Sequence, residues 1–210
     1  MSVKKDGSMI VLSSPSGAGK TTLVKKLASA LNSIISISYT TRVPRAKEIN
    51  GKNYFFIKDE EFKKLIQNDE LLEYARVFEN FYGTSKLKVI EELEKGKNVL
   101  FDIDWQGTEQ IKQKNLKYSL ITFFILPPSK KTLLGRLSER ENNNEKVVNS
   151  RMKNFEKDLI HWSDYDYVVI NDELNICLDE ILSTVMKKLK NEKVIYDKSK
   201  IEDHVKKLLS

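Results

Sequence analysis

Disulfide chemistry is missing from this chain. Its 210 residues include one cysteine, Cys177, so no internal bridge can form, and a cytoplasmic location is expected. Long apolar runs are missing too. No stretch approaches the roughly 18 to 20 apolar residues that a membrane-spanning helix needs. The first apolar run, Met9 to Leu12, is too short for a secretion signal. A membrane partner is therefore not expected. Arginine is scarce: of 36 basic residues, only Arg42, Arg45, Arg76, Arg136, Arg140 and Arg151 are arginine. The net charge of +6 would suit nucleic acid, but the other basic residues are lysines scattered through the chain, often beside Glu or Asp. That pattern is a solvated surface, and no nucleic-acid partner is expected. A chain that uses lysine almost everywhere yet groups its arginines needs their planar, bidentate fork at those places, and phosphate is the usual reason. His161 and His204 have no cluster of potential metal ligands around them in the sequence and are expected to be structural, as Trp105 and Trp162 are expected to pack.

The length supports one substantial core with small inserted subdomains, and 40% hydrophobic and 31% charged residues are ordinary for a globular chain. Met9–Ser13 is apolar, a glycine-containing turn follows, and Lys20–Leu31 has helical spacing with Leu23, Leu27, Ala30 and Leu31 on one face. Further buried-strand candidates are Asn98–Asp104, Tyr118–Leu126 and Tyr167–Ile170. Helical patterns cover Lys86–Glu94, Thr108–Lys114, Lys130–Arg140 and Glu145–Trp162. Apolar strands alternating with helices predict an α/β fold, a parallel sheet covered by helices on both faces. Between about Ser36 and Gly83 the rhythm breaks into short aromatic β-like pieces around one helix candidate, Asp59–Gln67, which predicts a small inserted α+β subdomain. The segment around Asn142–Asn144 is polar and reads as a loop. The tail beyond Lys187 is charged, and its weakly amphipathic stretch, Ile201–Leu209, is expected to be a peripheral helix. No internal repeat is present.

Ser14-Pro15-Ser16-Gly17-Ala18-Gly19-Lys20-Thr21 departs from the phosphate-loop pattern G-x-x-x-x-G-K-[ST] only at its first position. Glycines let the backbone approach phosphate, consecutive N–H groups and a helix N-terminus cradle the anion, Lys20 can reach the outer phosphates, and the Thr21 hydroxyl can hold Mg2+. The motif sits between an apolar strand and an amphipathic helix, where it must. It predicts nucleoside triphosphate binding by Ser14 to Thr21 together with Thr22.

A second anion site is suggested by Arg42 and Arg45, three residues apart, with Tyr54 nearby. Thr40 to Phe56 reads T-T-R-x-P-R-x-x-E-x-x-G-x-x-Y-x-F, and this resembles the signature of the guanylate kinase family. The resemblance continues in family order through Glu73, Tyr82-Gly83-Thr84, Asp102-Ile103-Asp104-Trp105-Gln106-Gly107, Arg136-Leu137-x-x-Arg140, Arg151-Met152 and Val169-Ile170-Asn171-Asp172, over residues 9 to 190. It implies phosphoryl transfer from ATP, with Mg2+, to GMP, in a monomer or homodimer. It implies guanine contacts from Ser38, Glu73, Thr84 and Asp104, and phosphate contacts from Arg42, Arg45, Tyr54 and Tyr82. Lys20 and Thr21 would serve ATP and Mg2+. Arg136, Arg140 and Arg151 would be lid and hinge arginines, and Asn171 would lie near the adenine. Asp102 would lie near GMP and hold Mg2+, through water. The implied division is a phosphate-loop core at 1–36, 96–128 and 160–210, a GMP-binding subdomain at 37–95 and a helical lid at 129–159. Departures are Ser14 for glycine or alanine, Thr84 for serine, Glu141 for a glycine after the lid arginine, and Asn142–Asn144 for a more acidic turn.

Three other functions share parts of this pattern. A hydrolytic ATPase or GTPase would have no use for the second arginine pair. A non-enzymatic guanylate-kinase-like binding module would have a degraded phosphate loop, whereas Lys20 and Thr21 are intact. Another nucleoside monophosphate kinase would differ in the base-contacting residues.

Overall fold

A computed structural model of the protein describes residues 5–77, 79–141 and 143–210. Residues 1–4, which open the expected core, and Asn142, in the expected polar loop, lie outside the described residues.

Met9–Ser13 forms strand β1, buried along its whole length. In chain order follow α1 (Lys20–Leu31), β2 (Ile34–Ile35), β3 (Tyr39–Thr40), β4 (Phe55–Phe56), α2 (Asp59–Gln67), β5 (Leu71–Val77), β6 (Asn80–Ser85), α3 (Lys86–Glu94) and β7 (Val99–Asp102). The second half runs α4 (Trp105–Gln113), β8 (Leu120–Leu126), α5 (Lys130–Arg140), α6 (Glu145–Leu159), a 3-10 segment (Ile160–Asp164), β9 (Tyr167–Ile170), α7 (Leu174–Leu189) and α8 (Ser199–Leu209).

The described residues form two sheets. The larger is parallel, in the order β2-β7-β1-β8-β9. Side chains alternate across a strand, and each face finds its own partners. Ile10 and Leu12 point to Leu23, Leu27, Ile181 and Val185 beneath α1 and α7. Met9 and Val11 join Val89, Leu93 and Phe101 on the other side. This is the α/β core with helices on both faces that the apolar strands predict. The chain crosses from one flank of β1 to the other between β7 and β8, and such a switch leaves a crevice at the C-terminal strand ends.

The smaller sheet, β4-β3-β6-β5, falls in the aromatic-rich stretch expected to be an insertion. Its β5–β6 pair is antiparallel, and the α2 residue Phe62 stacks on Phe81 of β6 at 5.2 Å.

Four details differ from the sequence expectations. Helix α4 begins at Trp105 rather than Thr108, because the Asp104 carboxylate accepts the Gly107 N–H and caps it. The helix expected to run to Trp162 ends at Leu159 and tightens into the 3-10 segment. Helix α7 was not among the predicted helices. It buries Cys177, Ile181 and Val185 at helical spacing, but exposed Ile176 and Met186 blur that stripe in the sequence.

The fourth is the tail, which is not peripheral. Ile201, Val205 and Leu208 of α8 enter a cluster with Phe124, Leu126, Leu133, Phe155 and Leu159. Just before α8, the Tyr196 hydroxyl accepts the N–H of Val168 at 2.7 Å and donates to its carbonyl at 2.6 Å.

This docking makes the tail part of the core's stability. Leu208→Ala is expected to lower unfolding free energy by about 2–5 kcal/mol, as for other buried leucines. Urea unfolding measures it. A change within about 0.5 kcal/mol would mean that α8 is solvated.

Candidate active site

The phosphate loop follows from β1. Gly17 and Gly19 have φ of 93° and 94°, a left-handed backbone that side chains disfavour. A Cβ at Gly17 would also meet Leu133 and Leu137 of α5 at about 3 Å, so the loop lies tight against the α5 helix. Helix α1 starts at Lys20 and directs its N-terminal N–H groups, the positive end of its dipole, at the crevice. The β1–β7 register sets Leu12 beside Asp102, which brings the β7 end under the loop. Lys20 Nζ is ion-paired with Asp102 and also donates to the Ile103 carbonyl at 3.1 Å. Thr21 donates its hydroxyl to Asp102 at 2.8 Å.

Across the crevice stands the second cationic set. Arg42 is held by both oxygens of Glu48, at 2.8 and 2.9 Å, and Glu48 also accepts the Arg45 N–H at 2.8 Å. Burial alone would raise the Glu48 pKa, but the Arg45 N–H and the Arg42 guanidinium outweigh it and hold the carboxylate below its ordinary range. The Arg42 guanidinium lies 5.4 Å from the centre of the Tyr54 ring, which meets Tyr82 edge-on at 5.9 Å. Burial, reinforced by the negative charge of Asp102, pushes the Tyr54 hydroxyl up to about 12, so it remains a hydrogen-bond donor.

Glu73 of β5 is the buried acid between the two sets, 3% exposed. Its Oε1 accepts the Thr84 hydroxyl at 2.5 Å. Gly107 of α4 lies against the other oxygen, and any Cβ there would strike it. Burial raises the Glu73 pKa to about 7, with Asp104 adding to the rise and Thr84 and Lys20 opposing it. Asp104 itself caps α4 and accepts from Gln106 Nε2 at 3.1 Å.

From α5 and α6 come Arg140 and Arg151. Arg151 donates to the Ser16 hydroxyl of the phosphate loop at 2.7 Å. Glu141 Oε1 lies 3.0 Å from Arg140 Nε, 3.3 Å from Arg151 Nε and 3.8 Å from Arg45. Burial depresses the Arg151 pKa, and the charges of Arg140 and Arg45 depress it further, while Glu141 opposes them.

One cleft of about 460 Å3 joins these walls. It is lined by Ser14, Pro15, Ser16, Gly17, Gly19, Lys20, Thr21 and Thr22 from the loop side, and by Ser38, Arg42, Arg45, Tyr54, Glu73 and Tyr82 opposite. Asp102, Asp104, Arg140 and Arg151 complete the sequence-predicted part of the lining. Four predicted residues stand one layer behind. Ala18 is buried in the loop. Thr84 is fully buried, with its hydroxyl proton committed to Glu73. Asn171 is 3% exposed and donates to the Ala18 carbonyl at 2.7 Å, holding the loop from beneath. Arg136 donates to the Asn171 carbonyl, at 3.3 and 3.4 Å from its two terminal nitrogens.

Asn154, Lys157 and Asp158 of α6 also line the cleft and were missed in the sequence. Burial, reinforced by Asp104, raises the Asp158 pKa to about 6. The signal was a polar row, Arg151, Asn154 and Asp158, at helical spacing beside the buried row Val148, Phe155 and Leu159.

A family model described as Guanylate kinase matches residues 6–191. The chain is 41% identical over 205 residues to the guanylate kinase of Hyphomonas neptunium, an alignment covering 97% of this chain and 92% of that one. It is 47% identical over 182 residues to the guanylate kinase of Rickettsia prowazekii, covering 86% and 91%. The solved structure of the guanylate kinase from Anaplasma phagocytophilum is similar with a TM-score of 0.72 at 33% identity, over 89% of this chain and 88% of that one.

The buried acid has a measurable signature. Because the folded-state pKa of Glu73 lies near 7 and its ordinary value is 4.5, the unfolded chain ionises first as pH rises. Glu73 therefore costs nothing below about pH 4.5, and its burial destabilises progressively up to about pH 7. Glu73→Gln is expected to gain about 3 kcal/mol on the wild type between those limits. Urea unfolding of both proteins from pH 4.5 to 8 tests this, and a pH-independent difference would contradict it.

Proposed function

The chain belongs to the guanylate kinase family and is an ATP:GMP phosphotransferase, and we propose that this cleft performs the transfer with ATP on the phosphate loop and GMP on the opposite wall. One observation carries this arrangement: Lys20 and Thr21 share a cavity with Arg42, Arg45 and the buried acid Glu73. Two anion-binding walls facing each other suit transfer from one phosphate to another. A hydrolase needs only the first wall.

In this proposal residues 37–95, with the β4-β3-β6-β5 sheet, are the GMP-binding subdomain. Residues 129–159, with Arg140 and Arg151, are the lid, and 1–36, 96–128 and 160–210 are the core. One chain supplies the whole lining, so a monomer or a homodimer would serve. A cytoplasmic location suits the substrates, since ATP and GMP are cytoplasmic metabolites, and no described helix is long and apolar enough to cross a membrane.

A GMP phosphate is already an anionic nucleophile near neutral pH, since its second pKa is about 6. A general base is therefore unnecessary. The obstacle is repulsion between two polyanions, so the enzyme's contribution is positioning and charge. Lys20 takes the donor phosphates. Arg42, Arg45, Tyr54 and Tyr82 take the GMP phosphate, and Arg140 and Arg151 face the group in transit. Arg136 and Asn171 hold the phosphate loop in shape. The Thr21 hydroxyl and the Asp102 carboxylate, already 2.8 Å apart, are hard oxygen donors that fit Mg2+. Mg2+ bound there with ATP would offset phosphate charge.

Guanine is selected by Glu73, with Ser38 and Asp104 beside it. Guanine presents N1–H and N2–H2 as adjacent donors, and an ionised carboxylate accepts both. Adenine presents an unprotonated N1, which would leave the buried carboxylate unpaired. Such sites discriminate by about 10^4 or more. Thr84 orients the carboxyl by donating to it.

Two results are expected from kcat/KM measured with GMP and AMP. The wild type should prefer GMP by about 10^4-fold, and Glu73→Gln should narrow that ratio. Only ionised Glu73 accepts both guanine donors, so kcat/KM for GMP should fall toward tenfold per pH unit below about pH 7. The Gln variant should lose the part of that dependence between about pH 6 and 7, above the second pKa of the GMP phosphate. Comparable wild-type activity on AMP would refute the guanine assignment.

A further inference from the structure

Helix α4 does more for the base-reading wall than supply Asp104 at its start. Gly107 lies against the Glu73 carboxyl, and one turn further on Gln110 turns its side-chain amide to the outer margin of β5. Gln110 Oε1 accepts the N–H of Tyr74 at 3.1 Å, and its Nε2 donates to the Tyr74 carbonyl at 2.7 Å. β5 is an end strand of the smaller sheet, so these two backbone groups face no further strand. A carboxamide carries an acceptor and a donor side by side, and here it serves Tyr74 as a neighbouring strand would. Tyr74 directly follows Glu73.

This tie ends on a helix whose first turn is itself fixed. The Thr108 hydroxyl donates to the Asp104 carbonyl at 2.8 Å, and the Tyr165 hydroxyl donates to Thr108 at 3.0 Å. Ser13 of β1 lies 2.9 Å from the same Thr108 oxygen. On the other side of Glu73, Leu72 is fully buried and packs with Met9, Val11 and Phe101. Glu73 thus has a buried anchor before it and the Gln110 amide after it. The two carboxylates are close enough for the charge of Asp104 to act on Glu73.

Guanine tests the spacing of those carboxylates. Its N1–H and one amino hydrogen fit Glu73, and the second amino hydrogen fits Asp104. The 2-amino group therefore bridges an acid carried by β5 and an acid carried by α4. Both must be within hydrogen-bond reach at once, and a misplacement of about 1 Å in such a site can cost about 10^2-fold. We propose that Gln110 is a positioning residue for base selectivity: by holding the β5 backbone at Tyr74 it fits the separation of Glu73 and Asp104 to the guanine amino group. It acts in the nucleotide-bound cleft, on one local distance, and involves no lid residue. The proposal rests on the assignment of Glu73 and Asp104 to the guanine edge.

The probes are GMP and inosine monophosphate, whose base keeps N1–H and lacks the 2-amino group. kcat and KM are measured with both on the wild type and on Gln110→Met, which keeps side-chain length and helix propensity and removes both hydrogen bonds. KM for GMP should rise about tenfold and KM for inosine monophosphate less than about threefold, since only GMP loses the bridged contact to charged groups. kcat with GMP and KM for ATP should stay within about twofold, because Gln110 touches neither the donor site nor the group in transit. An equal loss with both nucleotides, or no loss with GMP, would overturn the proposal, since a general loosening of the fold does not distinguish the amino group. Where Gln110→Met fails to fold, Gln110→Glu carries the test. It still accepts the Tyr74 N–H but sets a carboxylate oxygen against the Tyr74 carbonyl. It should narrow the same preference, and an unchanged ratio of GMP to inosine monophosphate would overturn the proposal. Failure of the guanine assignment itself shows separately, as comparable wild-type activity on GMP and AMP.

Discussion

Cations gathered closely enough to hold two phosphate groups repel one another, and a fold that gathers them has to contain that repulsion within itself. Several of the cationic groups at the cleft have a carboxylate beside them. Lys20 is paired with Asp102, Arg42 with Glu48, and Arg140 and Arg151 with Glu141. These acids come from a strand end, a surface loop and a helix terminus, so neutralising the charge also ties the separate segments together. Burial makes the pairs geometrically definite, because partly buried charges are screened less by water and salt than exposed ones. The exposed lysine pairs, such as Lys86 with Asp69, lie outside this arrangement and contribute little to stability.

The backbone brings these pairs together through few strong constraints. The parallel register of β1 and β7 sets Asp102 beside the root of the phosphate loop. The end of β9 sends Asn171 beneath the loop, and Arg136 of α5 fixes the backbone at Asn171. Gly107, at the start of α4, leaves the space that the Glu73 carboxyl fills from a different sheet. The Glu73 carboxyl is thus held by contacts from β6 and α4 together, and its pKa near 7 results from that enclosure. In the proposed role, selectivity would come from that same burial, since a solvated Glu73 would find water in place of the missing donors of a wrong base.

The sequence made the core legible because its strands are short, wholly apolar and punctuated. β1, α1, α5 and β9 appear at the bounds that their residues predict. Helix α7 did not, since Ile176 and Met186 face outward and spoil the periodicity that burial of Cys177, Ile181 and Val185 would otherwise display. The tail reads as charged because its surface face is lysine-rich, while three apolar residues at helical spacing decide its docking. In the site, residue types with one chemical use were the readable ones: phosphate-loop glycines, paired arginines, a lone acid in an aromatic strand. Thr84, Arg136 and Asn171 show the limit. A hydroxyl, guanidinium or amide near a site has several partners within reach, and composition does not decide which it turns toward. Asp158 was hidden for the opposite reason, since a polar residue on a lysine-rich helix resembles solvated surface until the cleft wall beside it is known.

Tyr196 has an effect beyond the local hydrogen bonds that it makes. β9 is an outermost strand, and the N–H and carbonyl of Val168 point away from β8. Bare backbone groups in that position form a template on which a strand from another molecule can pair. A single phenol occupies both, donating to one and accepting from the other. At the opposite margin β2 has only two residues, too few to seat a partner securely. The sheet thus limits its own growth into aggregates, with one aromatic ring on one side and brevity on the other.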